Sequence, residues 1–123
     1  GAMMEPARLP IACDLSVLTD QERRDLEALA NQIFPRADRA VDLPDGYALG
    51  FSDARADLLA DVAAFIALDR LCCAFLRHAL VVDAGPGVAW LELTGGPGAK
   101  EAIASDLRDL LSYDLTSAPA RLG

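Results

Sequence analysis

Hydrophobic and polar positions along this chain follow two rhythms, one of about 3.6 residues and one of two. Between Ser52 and Leu76 the longer rhythm holds. Leu58, Val62, Phe65, Asp69, Cys72, Cys73 and Leu76 fall within one stripe roughly 100° wide on a helix. The opposite side carries Ala56, Ala60, Ala63 and Ala67. The pattern predicts a long central helix over 53–76, capped by Ser52 or Asp53. An earlier helix is expected over 20–34. Thr19-Asp20-Gln21-Glu22 is a capping box at its start, Leu26, Leu29, Ala30 and Ile33 form its buried face, and Pro35 disfavours helical geometry at Phe34.

The shorter rhythm marks two hairpins. Arg39–Leu43 and Tyr47–Phe51 alternate about Pro44-Asp45-Gly46, and Ala79–Asp83 and Val88–Thr94 about Gly85-Pro86-Gly87. Ala89, Leu91 and Leu93 should face inward, Trp90 and Glu92 outward. Gly95-Gly96-Pro97-Gly98 leads into a last helix over 98–112, with Ile103, Leu107, Leu110 and Leu111 on one face. Two hairpin-then-helix units follow one another. They predict an α+β fold: a four-stranded, mainly antiparallel sheet with helices on one side. We expect one domain over 11–116. Residues 1–10 read as a cloning scar, Gly1-Ala2-Met3, and a loose proline-punctuated lead, and 117–123 as a frayed tail.

Asp69 breaks the pattern. It sits in the apolar stripe one turn before both cysteines, so it must be desolvated or face something polar. Arg70 and Arg77 are its candidate partners at this level.

Composition narrows the function classes. About half of the 123 residues are hydrophobic, enough for a core without staples. The net charge of -8 speaks against direct nucleic-acid or membrane-surface binding, which needs a basic footprint. No apolar run approaches the roughly 20 residues of a membrane span. With no secretion signal in view, the three cysteines are expected to be free thiols in a reducing, cytoplasmic setting. The odd count fits a three-thiolate site, or one pair plus a spare.

Neighbouring helical residues point about 100° apart, so Cys72 and Cys73 straddle a point toward which Asp69 projects. A third ligand must come from elsewhere, and Cys13 is the remaining cysteine. Three thiolates without a histidine cluster favour Cu(I), Hg(II) or As(III). A zinc site would need Asp69 or His78 as a fourth ligand. The plainer alternative is that the cysteines are small buried hydrophobes. His78, the sole histidine, should cap the central helix through its dipole rather than ligate. Trp90 reads as a packing residue, and Gly95-Gly96-Pro97-Gly98 as a plain turn, without the Lys-Ser/Thr of a P-loop.

Four segments carry a family resemblance: Ala12-Cys13-Asp14-Leu15; Leu43-Pro44-Asp45-Gly46-Tyr47; Phe65 through Leu76 with its Leu68-Asp69-Arg70-Leu71-Cys72-Cys73; and Trp90-Leu91-Glu92-Leu93-Thr94-Gly95. From Ile11 to about Leu111 the chain resembles a small bacterial tricysteine domain, met alone or beside mercury-resistance-regulator (MerR-type) transcription factors. The usual form of that domain has proline after the two cysteines and glutamate where Asp69 stands. Ala74 and Asp69 depart from it. The resemblance implies heavy-metal or thiol chemistry.

Three hypotheses follow. In the first, Cys13, Cys72 and Cys73 bind a soft metal ion for sequestration, delivery or sensing, with a metal-responsive regulator or transporter as partner. The second is an enzyme in which two thiolates and Asp69, as catalytic acid, resemble the catalytic set of organomercurial lyase. The third is a ligand-sensing or interaction module of a transcription regulator, with structural cysteines.

Overall fold

The computed structural model describes residues 13–85, 87–111 and 113–120. The expectations for residues 1–10, for the domain start at 11–12, for Pro86 in the second turn, for residue 112 at the end of the last helix and for residues 121–123 of the tail lie outside the described residues. Helix α1 (Asp20–Ile33) begins at the capping box: the Thr19 side chain accepts from the Glu22 amide, and Glu22 accepts from the Thr19 amide. A 3₁₀ turn, Phe34–Arg36, follows where Pro35 ends the helix. Strands β1 (Arg39–Leu43) and β2 (Gly46–Phe51) form the first hairpin. Helix α2 (Ala56–Cys72) leads to β3 (Leu76–Val82) and β4 (Ala89–Gly95), the second hairpin. Helix α3 (Ala99–Leu107) and a 3₁₀ turn, Leu115–Ser117, close the described chain.

The sheet is antiparallel throughout, in the order β1-β2-β4-β3, so the hairpins join through their second strands. This is the α+β architecture expected from the two rhythms. Tyr47, Leu49, Phe51, Leu91 and Leu93 face the helices and share one core with Ile33, Phe34, Leu58, Val62, Phe65 and Ile103. Phe34 meets Phe65 edge to face at 5.2 Å, which ties the 3₁₀ turn after α1 to α2. Lys100 ties α3 to the sheet: it pairs with Asp42, donates to the Leu43 carbonyl and lies over the Tyr47 ring. After the last turn, Pro119 accepts from the Asp42 amide, so residues up to Ala120 lie along β1.

The centre of the sheet tolerates no side chain at Gly46. A methyl group there would lie 1.8 Å from the Leu93 carbonyl oxygen. Gly46→Ala must push β2 off β4, and we expect a loss of about 3 kcal/mol in unfolding free energy. A urea titration checks this; an unchanged midpoint would show that the strands have room to spare.

Helix α2 is shorter than its stripe. It starts at Ala56, after Arg55 rather than a side-chain cap, and ends at Cys72 instead of continuing to Leu76. Cys73 leaves the helix at φ -109°, ψ 64°, with its amide still bound to the Asp69 carbonyl. The Leu76 amide then binds the Cys73 carbonyl, and β3 begins at once. The consequence is that His78 lies on a strand, not at a helix end. Among the described residues, no helix is long and apolar enough to cross a membrane.

Candidate metal centre

Two segments far apart in sequence build the site. The first carries Cys13. Asp14 donates its amide to the Cys72 carbonyl at 2.8 Å, which pins the segment across the end of α2. The Asp14 carboxylate accepts from the amide and hydroxyl of Ser16 and caps the turn Leu15–Val17; those bonds hold its pKa below the usual value. Leu18, buried in the core, fixes the other side. The second segment is the end of α2, carrying Asp69, Cys72 and Cys73.

The ligand atoms of Cys13, Asp69, Cys72 and Cys73 all lie within 4.8 Å of one another. Cys13 and Cys73 are joined as a disulfide, with Cα atoms 4.5 Å apart. Cys72 is the free thiol, buried, 3.8 Å from the Cys73 sulfur. Of the two arrangements that three cysteines allow, the structure holds a pair plus a spare. Burial pushes the Cys72 thiol pKa up, and the charges of Asp69 and Asp14 push it further.

Asp69 is buried, as its place on the stripe requires. One carboxylate oxygen lies 3.4 Å from the Cys73 sulfur. The other is 2.7 Å from His78 Nε2, whose side chain is 3% exposed. Neither Arg70 nor Arg77 is its partner here; both side chains belong to exposed positions. The early start of β3 brings His78 to Asp69, and the histidine orients the carboxylate rather than capping α2.

No family model, no curated protein and no solved structure matches the chain.

The site opens on a groove of about 560 Å³ between the helices. Cys13 and Asp69 line it together with Leu26, Phe34, Phe65, Leu107 and Leu110. A cavity of about 50 Å³ lies next to it, against Cys13, Cys73 and Asp69. Asp106, which the sequence did not single out, lines both spaces. Partial burial, and then the negative charge of Asp69, raise its pKa above the usual carboxylate value. A carboxylate whose pKa is raised by folding binds more protons folded than unfolded, so its contribution to stability falls as pH rises through the folded pKa. Asp106→Asn should therefore raise the thermal midpoint at neutral pH and leave it unchanged at about pH 3, where both states are protonated. Equal effects at the two pH values would contradict this.

Proposed function

We propose that the reduced protein binds a single soft metal ion through Cys13, Cys72 and Cys73, in sequestration, delivery or sensing. The reading rests on one observation: three sulfurs and a carboxylate from two separate segments converge within 4.8 Å. Thiolates about 2.3 Å from a common ion stand at most roughly 4.6 Å apart, so after reduction the widest spacing closes slightly while the Cys13 and Cys73 sulfurs move apart from bonding distance. Soft sulfur selects Cu(I) or Hg(II) over hard cations. Asp69, held by His78, supports the thiolates as a fourth donor or as a hydrogen-bonding neighbour. With zinc it would complete a tetrahedral set.

The disulfide sets a condition. Joined, Cys13 and Cys73 offer no thiolate, so the ion is taken up after reduction. A reducing, cytoplasmic compartment suits this, with a metal-responsive regulator or a transporter as the natural partner class. The experiment is elemental analysis of protein purified under reducing conditions. About one equivalent of a thiophilic metal is expected, absent from a variant with all three cysteines changed to serine. Equal metal in both proteins would refute the reading.

The position of Asp69 favours a second reading. Its carboxylate lies beside the sulfurs, and Asp69 lines a largely apolar groove, where an acid could deliver a proton to a metal-bound carbon. Asp69→Asn separates the two: release of hydrocarbon from an organomercurial that stops while ion binding persists supports catalysis.

A further inference from the structure

The three cysteines differ in exposure. Cys72 and Cys73 are 4% and 1% exposed, whereas Cys13 is only half-buried. Cys13 lines both the groove and the inner cavity; Cys73 lines only the inner one, and Cys72 neither. Anything entering the groove thus meets the disulfide from the Cys13 side. The groove has the volume of a small-ligand site. Its walls are aromatic and aliphatic, and its charged rim is mixed, with Asp20, Glu27 and Asp106 beside Arg23 and Arg24, so that it carries little net charge. The two rim arginines are engaged. Arg23 pairs with Asp20 and donates to the Leu15 and Leu18 carbonyls, and Arg24 donates to Gln21.

We propose that the groove seats an uncharged, apolar small-molecule thiol, which exchanges with the Cys13–Cys73 disulfide at Cys13. The incoming thiolate forms a bond to the Cys13 sulfur while the Cys13–Cys73 bond breaks. The electron pair leaves on the Cys73 sulfur, which takes up the proton lost by the incoming thiol. The products are a mixed disulfide on Cys13 and a free Cys73 thiol, so no further oxidant or reductant is required. The released thiol is placed to donate to the Asp69 oxygen 3.4 Å away. Access decides which sulfur of a disulfide is attacked, and here the groove grants access to one. The proposal stands apart from ion binding, since it concerns the oxidised chain.

The test uses the oxidised full chain with three probes at equal thiolate concentration: benzyl mercaptan, its 4-carboxylate and glutathione. Reactions are quenched by alkylation and mapped by peptide mass spectrometry. The benzyl adduct should accumulate on Cys13 at least about tenfold faster than either charged adduct, a ratio that partial burial of one ring supplies. Leu110→Glu, at a half-buried wall position, should bring the ratio close to one. The comparison of probes on the unaltered chain stands even where that variant fails to fold. Equal rates for the three thiols, adducts on Cys73, or no adduct at all would each overturn the proposal.

Discussion

Cys73→Ser should cost the reduced protein more than about 100-fold in affinity for Cu(I) or Hg(II), beyond the loss that altering an outer-shell partner usually brings. Cys73 is the hub of the cluster. It lies 3.8 Å from the Cys72 sulfur, 3.4 Å from Asp69 and within disulfide distance of Cys13. Serine places a hard oxygen where a soft ion needs sulfur. At 1% exposure the position admits no replacement donor from solvent. Asp69→Asn should cost far less, about tenfold, because a carboxylate contributes little to a thiophilic ion beyond support. Competition against a chelator of known affinity measures both. Near-normal affinity in Cys73→Ser would remove this residue from the ligand set.

His78→Ala should lower the unfolding free energy by about 3 kcal/mol, the scale on which a buried carboxylate loses its partner. The His78 ring is almost wholly buried, and its one hydrogen bond among the described residues is to Asp69. Removing it leaves the Asp69 oxygen facing space that the imidazole filled. Domains of this size hold about 5–15 kcal/mol, so the loss is a large share of the total. A double-mutant cycle with Asp69→Asn isolates the pair. A coupling near zero in urea unfolding would show that water replaces the imidazole at no cost.

The two hairpins were legible because Pro44-Asp45-Gly46 and the alternating Ala89, Leu91 and Leu93 are local signals, and the structure keeps them. The capping box at Thr19 was legible for the same reason. The end of α2 was not. The apolar stripe runs on past Cys72, and Ala74-Phe75-Leu76 contains neither glycine nor proline to announce a stop. What ends the helix is tertiary: Leu76 onward pairs with β4, which draws the chain out of helical geometry at Cys73. That error hid His78. Read as a helix cap, it could not be seen as the partner of Asp69, although a buried carboxylate on an apolar stripe called for one. Asp106 and the groove were out of reach, because they exist only where α3 packs beside α1 and α2. The convergence of Cys13 on Cys72 and Cys73 was expected only on the condition that Cys13 is a ligand, since the path of its segment was not legible; its structural cause is the Asp14 amide bound to the Cys72 carbonyl.

The central claim is that three sulfurs act together on one ion. It is tested by titrating the fully reduced chain with Hg(II) while counting thiols that still react with a disulfide reagent. One equivalent of ion should silence all three thiols at once, with the sulfur-to-metal absorption saturating at the same point. Thiols lost in separate steps, or reactive thiols remaining at one equivalent, would contradict it.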